Sequence, residues 1–223
     1  MNKKQVVEQI KAVGVLPVIR ADSRDEAAQI VRAVKGGGIS IVEITMTVPD
    51  ALELIRDLAQ TYGDEILIGA GTVLDAETAR KCIAAGARFV ISPALDLETI
   101  KSCNEREIVV MPGALTPTEI VTAWNAGADF VKVFPANALG GASYLKSLKA
   151  PLPDIKLIPT GGVSLATAAD FIKAGAEAVG VGGDLVDLKA IRGGQAGIIS
   201  ERAARYLEIV RNARIDFAET RAE

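Results

Sequence analysis

Residues 117–134 read PTEIVTAWNAGADFVKVF and contain a helix, a helix stop and a strand. Pro117–Asn125 is amphipathic with a helical period. The Ala-Gly-Ala that follows places a glycine where a helix ends in the left-handed conformation. Phe130–Phe134 is a short and nearly continuous apolar run, which is typical of a parallel strand covered on both faces. The stretch therefore predicts one helix–strand unit of an α/β protein.

The same unit recurs along the chain. Eight apolar runs begin roughly 20–26 residues apart, which is enough for one strand, one helix and two short loops. The runs are Val15–Arg20, Ser40–Thr45, Ile66–Gly69, Phe89–Ser92, Ile108–Met111, Phe130–Phe134, Lys156–Pro159 and Ala178–Gly182. Amphipathic segments between them predict helices at Ser23–Lys35, Asp50–Tyr62, Ala76–Ala85, Asp96–Asn104, Pro117–Asn125, Ala142–Leu148 and Ala166–Ala174.

Eight strand–helix units in 223 residues predict a single (β/α)8 TIM barrel domain over residues 1–223, with an N-terminal helix. A doubly wound open sheet is the alternative, but no G-x-G-x-x-G follows the first strand. Glu201–Val210 predicts the last helix, and we expect the charged tail to Glu223 to fray.

The composition argues against several kinds of protein. With 49% hydrophobic and 24% charged residues, the chain is globular and not disordered. Its net charge of −3 and the lack of a basic run argue against nucleic acid as a partner. No window approaches the roughly 18 apolar residues of a membrane span, and the first residues lack the apolar core of a signal peptide. We expect a cytoplasmic protein with no membrane partner.

The chain contains no histidine, which excludes a Ser-His triad, His-ligated zinc and imidazole acid–base chemistry. Its two cysteines, Cys82 and Cys103, stand alone and predict thiols with no chemical task. If the protein is an enzyme, lysine, carboxylates, hydroxyls and backbone groups must carry its chemistry.

Two of the predicted strands carry a single charged residue inside an apolar run. Lys132 lies in Phe130–Phe134, and Glu43 lies in Ile41–Thr45. Burial disfavours the charged form of a lysine, and a neutral amine can attack a carbonyl carbon. A nearby carboxylate can exchange protons with the substrate. The pair therefore predicts a Schiff-base nucleophile and a general acid–base, with a structural ion pair as the alternative.

Glycine-rich turns follow the seventh and eighth strands, as Thr160-Gly161-Gly162 and Gly182-Gly183-Asp184. In many barrels the loops after these two strands bind phosphate through backbone N–H groups. We expect an anion site here, although the glycines could also serve only the tight turns. Asp184 would repel a phosphate, so we expect its side chain to point away and to cap the last helix.

Further polar groups lie at the predicted mouth of the barrel. Arg20 ends the first strand and could clamp a substrate carboxylate, or could be an ordinary solvated arginine. Thr45 ends the second strand, and Pro93 shapes the rim after the fourth. The hydroxyl of Thr72 could orient the substrate or serve only the backbone of its turn.

With these residues in view, the sequence resembles the 2-keto-3-deoxy-6-phosphogluconate (KDPG) and 4-hydroxy-2-oxoglutarate (KHG) aldolase family. The motifs that carry the likeness occur in order, at the predicted strand ends, over nearly the whole chain. They are Leu16-Pro-Val-Ile-Arg20, Val42-Glu-Ile-Thr45, Ile68-Gly-Ala-Gly-Thr-Val73, Ile91-Ser-Pro93, Met111-Pro-Gly113, Val131-Lys-Val-Phe-Pro135 and Pro159-Thr-Gly-Gly162.

The resemblance implies a homotrimeric barrel that acts as a class I aldolase on a small 2-keto acid, without metal or other cofactor. Lys132 would hold the substrate as a covalent imine, and Glu43 would be the general base and acid. The products would be pyruvate and an aldehyde, namely glyceraldehyde 3-phosphate from KDPG or glyoxylate from KHG. Thr72 and Pro93 would line the pyruvate half of the site, and Thr160-Gly161-Gly162 the distal half.

Two positions depart from the family pattern. Many relatives have an arginine for the substrate carboxylate where this chain has Thr47, and we hypothesise that Arg20 replaces it. Many relatives have a serine in the phosphate cup where this chain has Gly183. A related 2-keto-3-deoxy acid, such as one of the galactonate series or an unphosphorylated one, therefore stays open. A phosphosugar isomerase or decarboxylase and a non-catalytic binding barrel are further alternatives on this scaffold.

Overall fold

Nine short parallel strands form the inner wall of the fold in the computed structural model, which describes residues 1–220. They are β1 (Val15–Ile19), β2 (Ile41–Thr45), β3 (Leu67–Gly71), β4 (Phe89–Ile91), β5 (Val109–Met111), β6 (Gly113–Ala114), β7 (Val131–Val133), β8 (Leu157–Pro159) and β9 (Val179–Val181). Every residue in them is buried, because side chains point alternately into the ring and under the outer helices.

The strands close into a barrel with eight strand positions. One run has the order β5-β4-β3-β2-β1-β9, and the second run is β6-β7-β8. Pro112, which has no N–H for a ladder, separates β5 from β6, so these two strands share one position in the ring. A parallel bridge between Thr160, just past β8, and Gly180 of β9 closes the ring. The predicted (β/α)8 barrel is confirmed.

Helices cover the outside of the ring and follow the strands in turn. They are α1 (Lys3–Val13), α2 (Arg24–Gly36), α3 (Ala51–Tyr62), α4 (Ala76–Ala84), α5 (Leu97–Asn104), α6 (Pro117–Asn125), α7 (Ala142–Lys149), α8 (Ala168–Lys173), α9 (Leu188–Arg192) and α10 (Gly197–Thr220), with a 3-10 helix at Ala136–Leu139. The predicted N-terminal helix is α1. No helix within residues 1–220 is long and apolar enough to cross a membrane.

Local signals set the ends of these helices. Thr116 and Glu119 form a capping box at the start of α6, with Pro117 in the first turn. The glycine of the following Ala-Gly-Ala, Gly127, has φ +95° and turns the chain into β7. Residues 117–134 therefore form the helix–strand unit that their sequence predicts.

The last helix is longer than predicted. It begins at Gly197 instead of Glu201 and continues through residues 211–220, which we expected to belong to the fraying tail. Arg214 holds this extension in place, because its guanidinium donates hydrogen bonds to the backbone oxygens of Lys11, Ala12 and Glu177. The remaining part of the predicted tail, residues 221–223, lies outside the described residues.

Candidate active site

Glu43 and Lys132 meet inside the barrel. Glu43 lies in β2 and Lys132 in β7, with three strand positions between them on either side of the ring. The Nζ atom of Lys132 is 3.7 Å from Oε1 of Glu43, and the two side chains are 5% and 1% exposed. The distance makes an ion pair but is too long for a hydrogen bond. The barrel thus joins the two charged residues that the sequence placed on separate strands.

The carboxylate of Glu43 is buried without hydrogen-bond donors. Neither of its oxygens has a hydrogen-bond partner among residues 1–220. Burial raises the pKa of Glu43 above its usual value, and the positive charges of Lys132 and Arg20 only partly oppose this rise. A carboxyl group with a raised pKa gains and loses protons closer to neutral pH, which suits general acid–base catalysis.

The surroundings of Lys132 argue against a purely structural ion pair. Its neighbours Val131 and Val133 are buried, and its Nζ lies 5.4 Å from the centroid of the Phe134 ring. Taking two charges out of water costs several kcal/mol for each ion, and good hydrogen-bond geometry is needed to offset this. The Lys132–Glu43 pair lacks that geometry, so the fold gains little stability from it.

Arg20 follows β1 at the mouth of the barrel, on the same side as Glu43. Val18 is in register with Glu43, and Arg20 lies two residues further along, so its Cβ points to the same face. The side chain is exposed and makes no hydrogen bond or ion pair within residues 1–220, although its charge acts on Glu43. Among residues 1–220 the guanidinium of Arg20 therefore has no bound partner, and its positive charge acts on the carboxylate of Glu43.

Thr45 and Thr47 are linked to the strand that carries Arg20. The Thr45 hydroxyl donates to the backbone oxygen of Ile19 at 3.0 Å and lies 2.7 Å from the Thr47 hydroxyl. Since its proton is used inside the protein, Thr45 has none to donate to a substrate oxygen. Its contact fixes the residue directly before Arg20.

Thr72 and Pro93 lie on the loops after β3 and β4. Thr72 has φ +57°, a left-handed conformation that is unfavourable for a β-branched residue. Pro93 packs against Gly113, the residue in register with Lys132, so closely that a Cβ on Gly113 would lie 2.3 Å from the Pro93 backbone oxygen. Both predicted residues therefore lie on loops at the carboxyl ends of the strands.

The two glycine turns occupy the mouth beyond β8 and β9. Thr160 is buried, and its hydroxyl packs over Gly180, where a Cβ would lie 2.1 Å from Oγ1. Gly161 and Gly162 have φ +96° and +73°, which favour glycine. Among the described residues, no acceptor binds the backbone N–H of Gly162 or Gly183. Within the described residues, nothing beyond the adjacent residues lies within 4 Å of the position that a Cβ would take on Gly182 or Gly183.

Asp184 does not cap the last helix, contrary to expectation. Its carboxylate accepts hydrogen bonds from the backbone N–H of Leu165 and from the hydroxyl of Tyr206, a buried residue within α10. The expectation was wrong because α10 begins at Gly197, whereas Asp184 lies in the turn directly after β9. The carboxylate instead links the loop after β8 to the turn after β9.

Comparison with known proteins identifies the family. Residues 6–201 match the family described as KDPG and KHG aldolase. This chain belongs to that family. Its identity to a 2-dehydro-3-deoxy-phosphogluconate aldolase of Treponema pallidum (strain Nichols) is 33% over 206 residues, which cover 92% of this chain and 97% of the relative. Its identity to a 2-dehydro-3-deoxy-6-phosphogalactonate aldolase of Escherichia coli (strain K12) is 36% over 200 residues, 89% and 95% of the two chains.

A solved structure of a KDPG aldolase has the same fold. The KDPG aldolase of Legionella pneumophila matches with a TM-score of 0.82 at 32% identity, covering 89% of this chain and 96% of that one. Its crystal structure holds pyruvate captured at low pH as a covalent carbinolamine intermediate.

Family membership places this protein among the class I aldolases, which are lyases that act on 2-keto acids through a Schiff base. The resemblance stated from sequence motifs is therefore confirmed, and the family's chemistry is that of a lyase and not of an isomerase. The relatives are named for different sugar acids at similar identity. The comparisons therefore leave the exact substrate of this aldolase open.

Two glycines that leave room for polar side chains of the candidate site were not among the predicted site residues. Gly71 and Gly180 each lie where a Cβ would collide with a polar side chain, Glu43 and Thr160 respectively. A glycine inside a predicted strand is the signal that could have revealed them, because it marks a close approach of another group. Among residues 1–220, no group of His, Cys, Asp and Glu side chains is arranged to hold a metal ion.

Proposed function

We propose that this protein cleaves KDPG to pyruvate and glyceraldehyde 3-phosphate, and KHG to pyruvate and glyoxylate, through an imine on Lys132. The observation that carries the proposal is the buried pair of Lys132 and Glu43 inside the barrel, with 3.7 Å between Nζ and Oε1. Membership of the aldolase family supports it.

The reaction uses the two residues in turn. The neutral amine of Lys132 attacks the C2 carbonyl of the substrate, and the resulting carbinolamine loses water to give a protonated imine. Glu43 then accepts the proton of the C4 hydroxyl as the C3–C4 bond breaks, and the aldehyde leaves. The electron pair of that bond forms an enamine at C3, since the imine accepts electrons. Protonation at C3 and hydrolysis of the imine release pyruvate and the free lysine.

The remaining residues bind the two halves of the substrate. The guanidinium of Arg20 holds the carboxylate of the pyruvate half, and Thr72 and Pro93 enclose it. Thr45 contributes by fixing the backbone before Arg20.

The distal half, with its phosphate, lies against the Thr160-Gly161-Gly162 and Gly182-Gly183 turns. No acceptor within residues 1–220 binds the N–H groups of Gly162 and Gly183. These groups support an anion there, because backbone donors at such turns favour negative charge.

Covalent trapping tests the chemistry directly. The protein is incubated with pyruvate and sodium borohydride, its intact mass is measured, and the modified peptide is mapped. We expect one reduced pyruvyl adduct, on Lys132, and none in the Lys132→Met variant. An adduct confined to an exposed lysine such as Lys146 would remove the proposed mechanism.

A substrate panel tests the finer proposal. Pyruvate release is followed with lactate dehydrogenase and NADH for KDPG, its C4 epimer of the galactonate series, unphosphorylated 2-keto-3-deoxygluconate and KHG. We expect the highest kcat/KM for KDPG. A higher kcat/KM for the epimer would assign the enzyme to the galactonate series. A higher kcat/KM for the unphosphorylated acid would contradict the proposed phosphate site.

We further propose that the protein is a homotrimer, as the family resemblance implies. Light scattering after size exclusion should then give three times the chain mass of 23.3 kDa. A mass equal to that of one chain would contradict it.

A further inference from the structure

Two glycines on β3 leave space inside the barrel, and different groups fill it. Gly69 is in register with Glu43, and Gly71 is in register with Thr45, so both face the interior on the same side. A Cβ on Gly69 would lie 1.9 Å from the ring of Phe89. A Cβ on Gly71 would lie 1.8 Å from Oε1 of Glu43 and 2.4 Å from its Cδ and Cγ. An aromatic ring fills one space, and the side chain of Glu43 fills the other.

The backbone gives no reason for a glycine at position 71. Gly71 is not among the residues with positive φ, so an alanine could adopt its conformation without strain. Only the space above its Cα requires glycine.

That space is the main constraint on where the Glu43 carboxylate lies. Within residues 1–220 neither carboxylate oxygen accepts a hydrogen bond, and the charge partner Lys132 is 3.7 Å away. In most buried carboxylates hydrogen-bond donors define the position of the oxygens. Here packing on the bare Cα of Gly71 does so. Both oxygens therefore stay free to exchange protons.

We propose that Gly71 is a positioning residue for the acid–base chemistry, because the Glu43 carboxylate occupies the space that a side chain at position 71 would fill. The inference rests on the proposed function of Glu43 and adds how that group is held. A methyl group at position 71 forces the carboxylate oxygen to move by about 1 Å or more, since contacts under 3.0 Å essentially never occur for a real Cβ. A misplacement of about 1 Å in a catalytic geometry can lower the rate about 100-fold.

Gly71→Ala and Gly69→Ala are a matched pair for the test. Both add one methyl group to the same face of the same strand, but only the first displaces Glu43. For Gly71→Ala we expect kcat to fall about 100-fold with a much smaller change in KM. We also expect the acid limb of its pH–rate profile to move to lower pH. A Glu43 carboxylate that is displaced from its buried position is less desolvated, so its pKa falls. For Gly69→Ala we expect a lower unfolding temperature and an unchanged pH profile.

A double-mutant cycle with Glu43→Ala shows whether the effect of Gly71→Ala passes through the side chain of Glu43. Alanine lacks the Cγ, Cδ and Oε1 atoms that a Cβ at position 71 would meet, so adding Gly71→Ala to Glu43→Ala should change the residual kcat by less than about threefold. The double variant should also fold, even if Gly71→Ala alone does not. Three results would each overturn the proposal: an undiminished kcat in Gly71→Ala, a further loss of about 100-fold in the Glu43→Ala background, or a double variant that cannot fold.

The wild-type enzyme separates this inference from the proposed function. It is first trapped with pyruvate and borohydride and assayed with KDPG. If Lys132 is not modified and no pyruvate is released, the proposed function fails. If the wild type is active and Gly71→Ala behaves like Gly69→Ala, only the role of Gly71 fails.

Discussion

Replacing both members of the buried ion pair by methionine, Lys132→Met with Glu43→Met, should abolish activity and make the fold more stable. At 3.7 Å the Coulomb attraction is about 4–5 kcal/mol for an effective dielectric constant near 20. The desolvation of the two ions costs several kcal/mol each, and within residues 1–220 no hydrogen bond to Glu43 reduces this cost. Methionine fills irregular space of similar length without charge. We therefore expect a gain of about 1–4 kcal/mol in the free energy of unfolding.

The single variant Lys132→Met should behave in the opposite way. It leaves the Glu43 carboxylate buried without a counter-ion, which should cost about 3–5 kcal/mol at pH 8. Burial raises the pKa of Glu43 in the folded state above its usual 4.5. The stability that the protonated form provides is therefore complete below pH 4.5 and is lost as the pH rises through the folded pKa. The variant should be more stable at pH 5 than at pH 8.

Urea unfolding at pH 5 and pH 8 measures these differences. The fluorescence of Trp124, the single tryptophan, reports the transition, and all samples are kept at one protein concentration. For a chain of this size, each kcal/mol corresponds to a shift of about 2–4 °C in Tm. A double variant less stable than the wild type at pH 8 would refute the reasoning, because the ion pair would then stabilise the fold. So would a single variant whose stability does not change with pH.

Three further predictions follow from other parts of the structure. Arg20→Ala should raise KM for the keto acid about tenfold or more with little change in kcat, because it removes a charged hydrogen-bond donor from the substrate carboxylate. An unchanged KM would exclude this role of Arg20. Arg214→Met removes the hydrogen bonds to three backbone oxygens. It should lower the free energy of unfolding in urea by about 2 kcal/mol and leave kcat unchanged. An unchanged free energy of unfolding would mean that the extension of α10 does not depend on Arg214. Cys82 and Cys103 should resist Ellman's reagent in the native protein at pH 8, since burial raises the pKa of their thiols to about 11 and about 12. Fast labelling before unfolding would contradict this and show that the thiols are accessible.

Much of the fold could be read from local patterns. The strands and helices form where apolar runs and amphipathic segments predict them. An Ala-Gly-Ala triplet follows each of α4, α6 and α8, and its glycine, Gly86, Gly127 or Gly175, has positive φ. The predicted strand ends at Gly69, two residues before the observed end of β3 at Gly71. Glycine has a low strand propensity, so a pattern based on side chains ends too early there. The length of α10 was also missed, because its extension depends on Arg214 reaching the backbone of α1 and of the chain before β9.

The candidate site, too, could be predicted from the sequence only in part. Lys132 and Glu43 could be named because a lone charge in a buried strand is a local signal. The 3.7 Å between them and the hydrogen bond from Thr45 to Ile19 could not be predicted, because each joins residues on different strands. Nor could the lack of a hydrogen bond to Glu43 among residues 1–220, which depends on every strand around it. The role of Asp184 was predicted wrongly for this reason, since its partners Leu165 and Tyr206 come from two other segments.

The sequence by itself determined the repeating strand–helix unit, the barrel that eight such units form, and the residue types available for chemistry. These features depend on hydrophobic period, helix stops and composition, which are properties of neighbouring residues. Only the tertiary structure decided where the Glu43 carboxylate lies. Its position depends on the closure of the ring, which brings β7 to face β2, and on a bare Cα at Gly71 in the adjacent strand. Distances across a closed barrel arise from all of its strands together, so no single stretch of the sequence contains them.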